Sequence, residues 1–227
     1  MAYRWTEQTI RWYCDAAVYT GFFHHLAGLL QEYLPQEETV CDLGCGIGCL
    51  ALELAALGYR TTAVDHDRMA TQWLQGVCRQ RAGPRPSVLC RDWNDLGPGP
   101  RWDNIIMVNA GRTAEETMLF RRLCAKRLLL VNRTHKNSHV RADGGASARR
   151  HEIRRDYGAD CLAHRTFSME FGQPFTSMEE ARAYVSEMSE GQGTAEVLSG
   201  LVATGDAAFP LYLPYRKELE LFLLPAI

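Results

Sequence analysis

The sequence predicts an α/β fold built on a doubly wound, mostly parallel sheet with an N-terminal helical cap over residues 1–36. Three observations carry this. From residue 39 to residue 131, strand-like and helix-like patterns alternate, as parallel strands joined by crossover helices do. The runs 103–108 and 127–131 are almost continuously apolar, as strands covered on both faces must be. Between an apolar, β-prone run and a helix-forming run stand three glycines at 44, 46 and 48. A turn of that kind exposes unpaired amides at a helix start. Lacking a Cβ, glycine also lets the backbone take φ > 0 and approach a ligand closely.

Each element follows from its pattern. Trp5, Thr9, Trp12, Tyr13, Ala16, Ala17 and Tyr19 fall near helical spacing, with Thr6 as cap and Glu7 in the first turn. Gly21 allows a break, and Phe22, Phe23, Leu26, Leu29, Leu30, Tyr33 and Leu34 form a second stripe that ends before Pro35. The stripes read as core packing. Tyr13, Tyr19, His24 and His25 give them polar tips. A first strand over 39–43 leads to a helix over 47–57. A second strand over 60–64 ends at Asp65, and Asp67 caps a helix to Gln80. Strand 87–90 runs into Arg91-Asp92-Trp93. A Gly/Pro-rich loop at 97–100 precedes strand 103–108, and a helix from Ala114 to Ala125 leads to strand 127–131. Beyond it the reading is a polar loop over 132–147, a basic helix over 148–157 and a strand over 163–171. A helix capped by Thr176 or Ser177 then runs to Met188, followed by a Gly-rich loop over 190–208 and a last strand over 217–224. No repeat and no second core interrupts the chain, so 1–227 reads as one domain, with 37–134 and 135–227 as its two halves.

Composition narrows the classes. A net charge of −2 over 227 residues makes no case for nucleic acid or an anionic membrane surface. The N-terminus lacks the basic and apolar regions of a signal peptide, and no apolar stretch is long enough to span a membrane. Eight scattered cysteines, several inside apolar patterns, fit the reduced thiols of a cytoplasmic protein. Cys41, Cys45 and Cys49 straddle a strand, a turn and a helix, so their side chains should not converge and no metal site is expected. His135, His139 and His151 lack the tight pairing of a metal site, and the run Arg149-Arg150-His151 reads as a solvated helix face.

The glycine spacing discriminates among ligands. A dinucleotide fingerprint requires glycine or a near equivalent at 49, where this chain has Cys49, and no Gly-Lys-Ser/Thr follows to make a phosphate loop. Asp65, at the end of the second strand, can accept two ribose hydroxyls. Asp92 beside Trp93 offers an acid and an indole to a purine. All of these lie at carboxyl ends of parallel strands, where open α/β sheets bind ligands.

Together Val40-Cys41-Asp42-Leu43-Gly44-Cys45-Gly46-Ile47-Gly48, Ala63-Val64-Asp65 and Arg91-Asp92-Trp93 resemble the cofactor motifs of class I S-adenosylmethionine-dependent methyltransferases, over about residues 38–133. The resemblance implies a Rossmann-like sheet of seven strands with an antiparallel last strand, 163–171 and 217–224 supplying the closing hairpin. It implies that Asp42, Gly44, Cys45 and Gly46 line the methionine part of S-adenosylmethionine. Asp65, with His66 beside it, would hold the ribose, Asp92 the adenine amino group and Trp93 its face. Asn109 would lie near the sulfonium. The chemistry implied is methyl transfer by in-line displacement, which needs alignment and exclusion of water more than it needs a base. Where a base is needed, Tyr13, Tyr19, His24 and His135 are the candidates. Strand 103–108 ends Val108-Asn109-Ala110-Gly111, without the Asn/Asp-Pro-Pro-aromatic element of amino-directed nucleic-acid and protein methyltransferases. A small-molecule acceptor is therefore expected. An RNA or protein methyltransferase and a non-catalytic regulator that binds the cofactor are the rival readings.

Overall fold

The computed structural model describes residues 5–109, 114–134, 160–189 and 194–227. His135 and the expected helix at 148–157 lie outside these residues. Helix α1 (Glu7–Thr20) starts at Thr6, whose hydroxyl accepts from the Thr9 amide at 3.1 Å while the Thr9 hydroxyl accepts from the Thr6 amide at 2.9 Å. This reciprocal pair satisfies two orphan donors of the first turn. Gly21, at φ 62°, ends α1 and starts α2 (Phe22–Leu30), so the two helices bend at the one residue that tolerates left-handed backbone.

The chain then alternates through β1 (Thr39–Leu43), α3 (Cys49–Ala56), β2 (Arg60–Asp65), α4 (Arg68–Gln80), β3 (Ser87–Cys90), β4 (Trp102–Val108), α5 (Ala114–Leu123) and β5 (Cys124–Arg133). Helix α3 begins two residues later than the sequence pattern implies, because Gly46 and Gly48 hold φ of 55° and 78°, which a right-handed helix cannot include. Asp67 caps α4 by accepting from the Ala70 amide at 3.0 Å. After the gap come β6 (Ala163–Glu170), β7 (Gln173–Phe175), α6 (Met178–Ser189), α7 (Thr194–Ser199), β8 (Val202–Ala203), β9 (Leu211–Leu213) and β10 (Arg216–Pro225).

The main sheet has seven strands in the order β3-β2-β1-β4-β5-β10-β6. The pairs from β3 to β5 are parallel, and β10 enters antiparallel to both β5 and β6. One face packs Val40, Ile106, Leu129, Val131, Leu219 and Leu221 against α1, α2 and α3, with Phe22, Leu26 and Leu30 almost fully buried. The other packs Ile105, Met107, Leu128, Leu130 and Phe222 against Phe120 and Leu123 of α5. The segment expected as a loop at 190–208 instead contains α7 and β8, and β7, β9 and β8 form a three-stranded sheet of their own. Phe175, Tyr184, Val185 and Leu213 bury Trp12 of α1 there, which ties the C-terminal third to the N-terminal helices.

At the amino edge of the sheet, Glu38 is only 6% exposed. It accepts from Lys126 Nζ at 2.7 Å, Arg127 at 2.6 Å and Asn104 Nδ2 at 2.8 Å. One carboxylate thus joins the chain entering β1 to β4 and β5. The site lies at the opposite, carboxyl edge. No helix among the described residues is long and apolar enough to cross a membrane.

Candidate active site

The β1–α3 turn is stitched to β2. The amides of Gly44 and Cys45 both donate to the Val64 carbonyl, at 2.8 and 3.0 Å. Asp65 closes the end of β2 on the same turn: one carboxylate oxygen accepts from the Gly46 amide at 2.7 Å and the other from the Asp67 amide at 2.8 Å. Each oxygen keeps a further lone pair for an outside donor. Gly46 needs its missing Cβ, since at φ 55° a Cβ would stand 2.8 Å from the Trp5 ring. Trp5 therefore roofs the turn, and its ring meets Tyr13 edge-on at 5.3 Å.

These residues open into a cavity of about 690 Å³. Asp42, Gly44, Cys45, Gly46, Asp65, His66, Trp93 and Asn109 line it, as does Tyr13. Asp42 is 3% exposed. Burial, then the nearby Asp65 charge, push its carboxyl up to about 7, against a hydrogen bond from the Ala51 amide that favours the ionised form. Asn109 follows β4 at φ 55°, the single left-handed residue other than glycine among the described residues, and its amide donates to the Val131 carbonyl at 2.8 Å. Asparagine is among the residues that take left-handed backbone most readily, and here that backbone turns the chain at the cavity wall.

The structure separates the other candidates from this cavity. Asp92 accepts from the Asn94 amide and side chain, both at 2.9 Å, and so caps the 3-10 turn Trp93–Asp95. Tyr19 lies against Tyr212 and Phe209, with ring centres at 5.0 and 5.8 Å. His24 sits 3.2 Å from Glu53 with a side chain 71% exposed. None of the three lines the cavity. Cys45 and Cys49 diverge, Cys45 toward the Gly46 carbonyl and Cys49 toward Cys14.

The far half of the cavity went unnoticed in the sequence. Trp12, Phe22, Phe23, Phe171 and Tyr184 wall it, and Arg133 and Lys217 enter it from β5 and β10. Lys217 had a legible signal: it is in phase with Leu219 and Leu221, on the apolar face of its strand. It is 3% exposed, with its ammonium 3.3 Å from the Phe171 ring centre and 4.7 Å from that of Phe22.

A family model described as the methyltransferase small domain matches residues 24–110. A ribosomal protein L11 methyltransferase of Campylobacter concisus is 41% identical over 63 residues, which cover 26% of this chain. The chain spans about a quarter of the length of that curated relative. Among solved structures, magnesium protoporphyrin IX methyltransferase of Synechocystis PCC 6803 superposes with a TM-score of 0.54 at 16% identity, covering 99% of this chain and 86% of the other. Coclaurine N-methyltransferase superposes with a TM-score of 0.57 at 16% identity, over 89% of this chain and 72% of the other. At such identities the shared property is the fold. In fold the chain is similar to S-adenosylmethionine-dependent methyltransferases, and the segment matched by the family model carries the glycine turn.

Proposed function

We propose that the chain is an S-adenosylmethionine-dependent methyltransferase acting on a small, flat and largely apolar acceptor, with residues 1–227 forming one catalytic domain. The observation that carries the reading is a single cavity with two chemically different halves: a glycine turn with Asp65, His66 and Trp93 at one end, and a wall of aromatic rings at the other. Its volume suits a cofactor and a small acceptor together.

The residues present fit the cofactor. The left-handed glycines let backbone amides approach it, the free lone pairs of Asp65 accept the ribose hydroxyls, and Trp93 offers a ring face to adenine. The bound cofactor supplies a methyl group already activated by a sulfonium. The protein then has to hold the acceptor in line and exclude water, which the ring wall does, and aromatic faces also attract a sulfonium cation. Asn109, at the end of β4, is placed to orient the acceptor, and Tyr13 is the polar group that the cap brings to it. A protein acceptor is the second reading, favoured by the Campylobacter relative, a ribosomal protein L11 methyltransferase. A wall of aromatic faces suits a flat small molecule better than a side chain on a folded protein.

Calorimetry with S-adenosylhomocysteine tests the reading. One equivalent is expected to bind, and a protein that takes up none at saturating ligand overturns it. Asp65→Ala is expected to weaken binding by about 1–3 kcal/mol, roughly 5- to 150-fold in Kd, because ribose hydroxyls lose a charged acceptor and the Gly46 amide its brace. An unchanged Kd removes Asp65 from the site.

A further inference from the structure

We infer, building on the reading above, that the acceptor is an organic acid: a flat apolar body bearing a carboxylate that Lys217 and Arg133 grip at the far end of the cavity. The two cations share one face of the sheet. Arg133 stands directly opposite Leu219 in the β5–β10 ladder, and Lys217 is two residues along from Leu219, hence diagonal to Arg133 on the same side. Both line the cavity.

What singles them out is how this molecule treats its other buried or half-buried cations. Arg121, also 3% exposed, is paired with Asp160 at 3.0 Å and donates to the Pro225 carbonyl at 2.8 Å. Arg127 is paired with Glu38. Lys217, equally buried, has ring faces for neighbours and no acid against it among the described residues. Arg133 keeps a buried Nε with no hydrogen-bond partner. Burial, then the like charge of Arg133, push the Lys217 ammonium well below the usual lysine range. Two adjacent cations with no counter-charge against them among the described residues cost stability, and an anion arriving between them relieves both costs.

The cofactor's own carboxylate is a poor candidate for that place. Counted from β1, which carries the glycine turn, β5 is the second strand and β10 the third. At about 4.8 Å per strand this puts the cation pair roughly 10–14 Å from the turn. Asp42 and Asp65 are the acids at the turn itself, Asp65 through the Gly46 amide. The ring wall between supplies the surface for a flat body, and Lys217 itself lies on two of those rings.

The grip also says which atom is not methylated. A carboxylate held by an ammonium and a guanidinium has its lone pairs engaged and is a weakened nucleophile. The carboxylate is thus the handle, and a different atom of the acid, nearer Asn109, takes the methyl group. That atom's lone pair forms the new bond to carbon while the carbon–sulfur pair stays on sulfur, and any proton that the atom carried leaves to solvent.

The test titrates matched acids and amides into the protein with S-adenosylhomocysteine bound: indole-3-acetate against indole-3-acetamide, and 2-naphthoate against 2-naphthamide. The acids are expected to bind at least about tenfold tighter than the amides. Lys217→Met and Arg133→Gln are each expected to erase most of that preference and leave the amide affinity where it was. Wild type alone decides the matter if a variant fails to fold: equal binding of acid and amide, or binding of neither, overturns the proposal. A loss of S-adenosylhomocysteine affinity of about tenfold or more in Lys217→Met also overturns it, because the clamp would then hold the cofactor. If wild type does not bind S-adenosylhomocysteine at all, the methyltransferase reading falls, and the same titrations on the free protein still decide whether an acid site exists.

Discussion

Glu38→Ala will cost about 2–4 kcal/mol of stability at neutral pH. Removing one partner of a buried ion pair costs about 3–5 kcal/mol because the other charge is left without compensation. Here the figure is set lower because Lys126 and Arg127 keep 46% and 29% of their side-chain surface and stay partly hydrated. Asn104, fully buried, adds to the loss, since its Nδ2 keeps a longer contact of 3.4 Å to the Thr39 carbonyl alone. Urea midpoints report the cost if the m-value is unchanged. Burial by itself would raise the Glu38 carboxyl, but hydrogen bonds from Lys126, Asn104 and Arg127 outweigh it and hold the group below the usual range. Asp103 beside it is also held low, first by the Thr39 amide and hydroxyl. A lowered folded pKa contributes stability that is complete above the unfolded value and is lost as pH falls through the folded one. The gap between wild type and Glu38→Ala is therefore widest at neutral pH and closes as the pH drops below about 4. Glu38→Gln, which keeps one acceptor oxygen but not the charge, falls between the two. A gap of equal size at neutral and acid pH would assign the effect to packing.

The half of the molecule that carries the glycine turn was legible because its determinants are local. Gly44, Gly46 and Asp65 each stand at a strand end, and a strand end can be found from an apolar run and the residue that breaks it. The aromatic wall is assembled from distant pieces. Trp12, Phe22 and Phe23 lie in helical stripes, Phe171 follows a strand and Tyr184 sits in α6; each has the pattern of an ordinary core residue, and only the tertiary fold turns their common face toward a void. The strands of the small sheet are two or three residues long, too short for alternation to show. Tyr13 and Tyr19 read together as polar tips of one helix. Six residues advance a helix by about 600°, so the two side chains point about 120° apart and their Cα atoms stand about 9 Å apart along the axis. Tyr13 reaches the cavity and Tyr19 turns to Tyr212. Asp92 was ambiguous from the outset, since an acid two residues before Asn94 satisfies a turn as readily as a ligand.

Asp42→Asn will do the reverse of Glu38→Ala: it will stabilise the ligand-free protein, by as much as about 4 kcal/mol at pH 8 and by little at pH 4. Burial first, and the Asp65 charge second, raise the Asp42 carboxyl from 3.8 to about 7. A raised folded pKa means that the native protein binds a proton which the unfolded chain has released, so its stability falls as pH climbs from about 4 to about 7. Each pKa unit is worth about 1.4 kcal/mol, and about three units give the upper limit. Asparagine stays neutral throughout, keeps an oxygen for the Ala51 amide and ends the repulsion with Asp65, so the penalty never develops. Thermal melts at the two pH values will show it. An acid that weakens the empty protein at the head of a ligand-binding turn earns its place when a cation is bound, and S-adenosylhomocysteine carries an ammonium. The same variant should therefore bind S-adenosylhomocysteine less tightly at pH 8 while melting higher without it, the trade expected where a site is kept at the expense of stability. A stabilisation of equal size at pH 4 and pH 8 would sink the charge argument, and unchanged affinity at pH 8 would leave Asp42 a buried acid with no part in binding.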